Sequence, residues 1–586
     1  MYGEVIYNNE KIFADRFGLS MEDKWRALTE TERINATRSL FYFDQEIKRG
    51  TLEFENEDIL RIVIGFSGRS GLEKIMGNSI PTLKVVIWEP DEVLFEAYCT
   101  QTDISDFLKD ERLLIVLGED IFLLENKLIE IVSENNAFHS KIMAYGRYAD
   151  QSDRHVEQLV SILGRVANDA TQDGYSRKQF HTMPCENLLY TIYTLSNNYI
   201  IQQLFDAIPT RDIPIIIVSA GPSLMKNYKE LKRAKGRAVI IAVSHAAKTL
   251  ADADITPDLV AVTDASGTNY MDFDKDRKHT LICSVYADKK CRSEYNGKVI
   301  YHGFTMVNHL FISDRTMTEK YAELDTGSVA TDIFSLVLSA GFKRIILIGQ
   351  DLAYDDEGYT HTGYYKENDS SAFHRLQTEG LNGELVQTRD DWLRFKKFFE
   401  KKIGEYKETD VIDSTEGGAL IKGTRVMKLS DAIDMYCSTE YSVEAWIKGL
   451  KKGNENERHF IKQWFDTIVE NLENTKANLN EIVKLNEVIV EKWNDKFLWN
   501  DEFRAMCRRY DVLYDSVMEG NRSDLLRLYC VEEIQNYVEN ALILEGDDNT
   551  ERRMIAERKL FTTMEEKARK LAVFINDLTL ESRVDE

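Results

Sequence analysis

The residues of this 586-residue chain best suited to chemistry sit where apolar runs stop. IIIVSAGPSLMKN (215–227) is aliphatic as far as Val218 and then turns to Ser219, Ala220, Gly221, Pro222 and Ser223. Gly221 allows backbone to come close to a ligand, Pro222 suits the first position of a helix, and Ser223 offers a hydroxyl beside free N–H groups. Together these favour a phosphate, although the same turn also reads as a plain helix cap. AVSHAAK (242–248) ends its run on Ser244, and LVAVTDAS (259–266) ends on Thr263 and Asp264. TGSVATD (326–332) sets Thr326, Gly327 and Ser328 ahead of a helix, a second anion cradle. RIILIGQDLAYDDEGYTHTG (344–363) stops on Gly349, Gln350 and Asp351 and continues into a loop with Tyr354, Tyr359 and His361.

Scattered residues act together only if elements bring them to one place. Between about 210 and 420, β-branched runs at Pro214–Val218, Ala238–Val243, Leu259–Val262, Leu281–Val285, Val299–His302, Arg344–Ile348 and Asp410–Ile412 alternate with amphipathic segments. Strands buried on both faces by crossover helices have this pattern, which predicts an α/β fold with a doubly wound, mainly parallel Rossmann-like sheet. Ligands in such sheets lie beyond the carboxyl ends of the strands. Four strand ends and one helix start would then present polar groups toward a single rim.

Shorter runs at Ile62–Phe66, Val85–Trp88 and Leu113–Leu117 predict a smaller Rossmann-like domain over 1–150. Its IVIGFSGRSG (62–71), with Gly65, Gly68, Gly71 and the later Glu89, is a loose nucleotide-fold signature that we read as structural rather than as a working site. Residues 151–208 read as connecting helices. From Ile461 onward, apolar residues recur at three- and four-residue intervals and all seven prolines lie behind, so 431–586 reads as an all-α C-terminal domain. The sheet-bearing domain falls between, at 209–430.

Composition narrows the function. Lys and Arg number 74 against 99 Asp and Glu, a formal charge of −25, which would repel nucleic acid and anionic lipid while leaving room for a local basic pocket to hold a small phosphate. The apolar runs are too short to cross a bilayer and the N-terminus lacks a secretory pattern, so a cytoplasmic protein is expected. Seven cysteines without a C-x-x-C pair argue against a disulfide framework or structural zinc.

In combination, SAGPSLMKNYKELKRAKGRAVIIAVSHAAKTLADADITPDLVAVTDAS, TGSVATDIFSLVLSAGFKRIILIGQDLAY and STEGGALIKGT (414–424) resemble the motility accessory factors, bacterial flagellin glycosyltransferases. The resemblance implies transfer of a nonulosonic acid, of pseudaminic or legionaminic type, from its CMP ester to Ser or Thr of flagellin. Its central domain is similar to that of bacterial sialyltransferases using CMP-sialic acid. Carried over by position, Ser219, Gly221, Pro222 and Ser223 would hold the nucleotide, and Thr326, Gly327 and Ser328 the sugar carboxylate or neighbouring phosphate oxygens, with Ser244, Thr263, Gln350 and Asp351 completing the binding set. His361 is the candidate base, Asp264 its rival or a ribose ligand, and Tyr354 or Tyr359 a donor to the leaving phosphate. No metal or other cofactor is required by this scheme; Asp355 and Asp356 read as a solvated turn. The acceptor would be flagellin, alone or with its export chaperone.

Two other readings are carried along. An archaeal pterin diphosphokinase family resembles the same central domain and would need ATP and Mg²⁺. A flagellin-binding assembly factor could also keep the sheet without turnover.

Overall fold

The computed structural model describes residues 60–581, apart from 67, 78–82, 100–101, 133–139, 146–147, 149–153, 181, 267–278, 296, 321–326, 356, 362–364, 367–374, 494–499 and 542–549. Cα packing divides the chain into two units. One comprises 1–179, 480–512 and 531–564, the other 180–479, 513–530 and 565–586. The helices after residue 431, expected to stand apart as one domain, are thus shared between the two.

In the first unit, β1 (Leu60–Ile64), β2 (Lys84–Glu89), β3 (Leu113–Leu117) and β4 (Ser140–Ala144) form a parallel sheet of order β3-β2-β1-β4, with the helix α1 (Gly68–Met76) following β1. The glycine turn after β1 serves packing. Gly65 has φ +94° and a Cβ there would lie 2.7 Å from Tyr145 O and 2.8 Å from the Tyr148 ring. Glu89 is fully buried and accepts from Phe66 N (2.7 Å), Asp91 N (2.9 Å) and Tyr148 Oη (2.8 Å). The acid in the ribose-binding position of the signature is spent on its own loops.

The second unit is built on nine strands: β5 (Tyr199–Ile200), β6 (Ile215–Val218), β7 (Val239–Val243), β8 (Leu259–Val262), β9 (Thr280–Ser284), β10 (Val299–His302), β11 (Arg344–Ile348), β16 (Asp410–Asp413) and β17 (Arg425–Val426). Two antiparallel pairs, β12 (Tyr359–His361) with β13 (Tyr365–Lys366) and β14 (Arg375–Glu379) with β15 (Leu385–Arg389), rise from the loops. The large sheet runs β17-β16-β11-β6-β7-β8-β9-β10-β5, parallel throughout. β6, β7 and β8 are buried at every position, as strands covered on both faces must be.

From β6 the chain steps outward through β7 to β10, then returns to lay β11 on the other side of β6. This reversal puts a topological switch point between β6 and β11, where their loops diverge and leave a crevice. Helices α2 (Ser244–Asp252), α3 (Val329–Ser339) and α4 (Asp390–Glu405) all start near that edge. Later in the chain come α5 (Glu455–Trp493), α6 (Asp501–Met518) and α7 (Thr550–Glu581). None of the described helices is long and apolar enough to cross a membrane. The six described cysteines are free thiols.

Candidate active site at the sheet switch point

Register brings the two switch-point loops out together. Val218 pairs with Ile348, and the ladder continues through Ser219 N to Ile348 O (2.9 Å) and Gly221 N to Gly349 O (2.8 Å). The loops then interlock more tightly than side chains allow. A Cβ on Gly221 would lie 2.3 Å from Asp351 Oδ1 and 2.5 Å from Gly349 O, and one on Gly349 would lie 2.3 Å from Ser219 O. Gly221 therefore admits Asp351 close against its backbone, at a position that also lines the cavity beyond.

Ser223 follows the same logic. It is buried, donating to Asp351 through its backbone N (2.8 Å) and its Oγ (2.6 Å). The helix after it, Leu224–Asn227, has only four residues, and Pro222 precedes it instead of occupying its first position. Ser219 donates to Gln350 Oε1 (2.6 Å). The motif braces the Gln350–Asp351 loop, with Ser219 and Gly221 left in the cavity wall. The segment Ser414–Ala419 braces it from the other side: Thr415 Oγ1 accepts from Gln350 N (3.3 Å), and Ala419 N donates to Asp351 O (2.7 Å). Burial pushes the Asp351 carboxyl up to about 6 against the pull of its Ser223 bonds and of Lys226. Burial likewise raises Asp413 to about 6, with the nearby Asp351 charge adding to it.

Beyond this brace lies a cavity of about 420 Å³. Ser219 and Gly221 from β6, Asp264 from β8, Gly327 and Ser328 before α3, Gln350 and Asp351 from β11, and His361 from β12 all line it. These positions are as much as 142 residues apart, from Ser219 to His361, and were expected at one rim. Pro222, Ser223, Ser244, Thr263 and Tyr354 do not line it. Ser244 is buried at the start of α2, its hydroxyl without a hydrogen-bond partner among the described residues. Tyr354 is buried with its ring 4.9 Å from that of Trp392. Thr326 and Asp356 lie outside the described residues. Asp355 accepts from Glu357 N and Tyr359 N, which makes it a turn-former.

Asp264 reaches the wall in a fixed pose. Its Oδ1 accepts from Ser266 N and Oγ, both at 2.9 Å, and its carbonyl accepts from Asp288 N (2.9 Å). Asn187, on the helix Met183–Thr194, ties this loop down by donating to Ala265 O and Tyr286 O, both at 3.0 Å.

Four further wall residues escaped the sequence reading. His245, one residue beyond Ser244, brings its ring 5.6 Å from that of His361. His361 Nδ1 lies 3.0 Å from Thr360 Oγ1. Arg389, Asp391 and Trp392 come from the junction of β15 and α4: Arg389 Nε donates to Asp391 Oδ1 (2.8 Å), and the guanidinium sits 4.1 Å from the Trp392 ring centre. The signal was present in TRDDW (388–392), acids opening a helix after a basic residue. The polar strand before it, exposed at alternate positions, carried no run to mark it.

Three helix N-termini therefore meet one cavity. The first-turn amides of α3 have no intrahelical partner and concentrate partial positive charge where Ser328, Val329 and Ala330 line the wall. Arg389 adds a guanidinium that Asp391 holds in place through its Nε, and His245 and His361 supply two groups able to carry a proton. This arrangement suits an anion and a proton transfer. Among the described residues no group of three or more His, Cys, Asp and Glu is placed to hold a metal ion.

The comparisons with known proteins bear on the fold. The family described as 6-hydroxymethylpterin diphosphokinase MptE-like matches residues 186–357. No curated protein matches the chain. Among solved structures, the Maf glycosyltransferase from Magnetospirillum magneticum AMB-1 is similar with a TM-score of 0.56 and 16% identity, over 99% of this chain and 97% of that one. The chain thus shares the fold of the Maf glycosyltransferase from end to end, with a match to the MptE-like family across the core of its large sheet.

Proposed function

We propose that this protein is a glycosyltransferase that moves a nonulosonic acid, of pseudaminic or legionaminic type, from its CMP ester to serine or threonine of flagellin, in the cytoplasm and ahead of flagellum assembly. The observation that carries the reading is the convergence of Asp264, Ser328, Gln350 and His361 on one cavity at the switch point. The whole-length likeness to a Maf glycosyltransferase supports the reaction class.

The chemistry follows from the groups at hand. The bond between the anomeric carbon and the phosphate oxygen breaks, CMP leaves with the electron pair, and the acceptor hydroxyl oxygen bonds to that carbon. Charge that gathers on the leaving phosphate is stabilised by the α3 amides, which are fixed before the reaction begins. Arg389 is the natural partner for the sugar carboxylate, because a guanidinium meets a carboxylate with two parallel bonds. His361 takes the acceptor proton. Asp264 and His245 lie on the same wall and are its alternatives.

The test is co-expression with flagellin in cells that make CMP-nonulosonic acids, followed by mass spectrometry of the flagellin. Added nonulosonic acid mass should appear with the parent protein. With His361→Ala it should fall by about 100-fold or more, the usual weight of a general base. Unmodified flagellin with the parent protein would overturn the reading.

The MptE-like match favours one rival, a metal-dependent diphosphokinase. Transfer of a diphosphate from ATP that stops with chelator would support it, while chelator-resistant sugar transfer would exclude it.

A further inference from the structure

The opposite, amino-terminal edge of the large sheet is also open. A cavity of about 850 Å³ lies there, beneath the starts of β7 to β10, and residues of the segment 441–452 form part of its wall. Four lysines line it: Lys235, Lys298, Lys448 and Lys452. Two are neutralised, Lys235 by Asp258 and Lys448 by Glu444 at 2.7 Å.

The other two differ. Lys298 Nζ donates to Ile447 O (2.8 Å) and sits 5.1 Å from the centre of the Tyr199 ring. Neither Lys298 nor Lys452 has a carboxylate partner among the described residues, in a chain with 99 acids and a net charge of −25. Burial lowers the Lys298 ammonium below its usual range, and the charges of Lys448 and Lys452 lower it further. Gathering ammonium groups around a hollow costs free energy that a bound anion would offset.

We infer that this cavity binds a small diphosphate-bearing molecule of nucleotide size, with Lys298 and Lys452 as its anion contacts. The volume lies in the range of small-molecule sites, about 300–1,000 Å³, and exceeds what a single phosphate fills. Tyr199 and Tyr441 contribute aromatic wall for a base or sugar. Strands of four or five residues separate the two edges, a span of about 13–17 Å. A ligand here sits too far from the switch point to react there, so the site is an effector or anchoring site.

The test is calorimetric titration of inorganic pyrophosphate into the full chain at low ionic strength, with the Lys298→Met/Lys452→Met double variant and Arg389→Met alongside. The expected result is a site that weakens at least tenfold in the double variant and is untouched by Arg389→Met. Lys452→Gln alone, at an exposed position, should weaken it while leaving the melting temperature unchanged, which separates lost binding from lost folding. A double variant that binds like the parent protein overturns the site, whatever becomes of the glycosyltransferase reading. ADP should bind at least as tightly as pyrophosphate; weaker binding overturns the nucleotide size.

Discussion

Asp351 shows how far a residue's chemistry depends on what its neighbours lack. Three glycines let the loops close around it: Gly221, Gly349 and Gly418, the last with φ +84° and a Cβ position 2.2 Å from Asp351 O. Gly221→Ala would force a methyl into both a carboxylate and a backbone carbonyl, neither of which can swing aside. A loss of about 1–3 kcal/mol is expected, read as a lower urea midpoint with unchanged slope. The closed cage also sets a pH dependence. Asp351 and Asp413 titrate near 6 when folded, against about 4 in an unfolded chain, so the native state holds their protons more tightly. Stability from this source is fully present below about pH 4 and is lost as pH rises through about 6. Replacing Asp413 by Asn should flatten the fall in stability between pH 4.5 and 6.5 by up to about one proton, measured by denaturation at three pH values. The sequence located Asp351 and Gly221 but not their close approach, because residues 130 positions apart leave no local pattern.

At the scale of elements, legibility followed burial. Leu259–Val262, Val299–His302 and Arg344–Ile348 were placed to the residue, since strands covered on both faces must be continuously apolar. β15 was missed for the opposite reason, and Arg389 and Trp392 were missed with it. Tyr199–Ile200, two residues at the sheet edge, is too short to give a run. The helix start at Val329 was legible because glycine and serine precede it, and it carries its own prediction. Gly327 has φ +73°, and a Cβ there would stand 3.2 Å from Phe395 Cε1. Gly327→Ala should cost about 1–2 kcal/mol in stability, from the left-handed backbone. It should also weaken CMP binding, measured by calorimetry, because Ser328 and the α3 amides move with it. Unchanged CMP affinity would take the α3 terminus out of the anion site.

For the whole molecule, the long C-terminal helices decide which experiments can speak. An all-α region after about 440 invites a truncation that would remove the acceptor-binding part and leave the sheet. The packing argues against that outcome. Within the second unit, Trp464 Nε1 donates to Leu310 O (3.1 Å), and its ring lies 5.3 Å from that of the buried Phe311. Cys185, on the helix that ties down the Asp264 loop, is fully buried near the Leu525 carbonyl, and Leu526 beside it is buried too. Within the first unit, Asn486 donates to Met554 O (2.8 Å), and Tyr510 bonds the buried Glu557. Cutting at 440 strips Trp464 from Phe311 and Leu525 from Cys185, uncovering apolar core of the second unit at about 25 cal/mol for each Å² exposed, and removes both partners of the first-unit contacts. The truncated chain should be insoluble or melt without a cooperative transition, and its CMP binding should vanish along with any binding of flagellin. A soluble truncation that binds CMP as the parent does would show the helices to be a separable module. Under the packing described here, acceptor recognition has to be probed by single substitutions on exposed helix faces, such as Val512 and Val573, where the fold is not at stake.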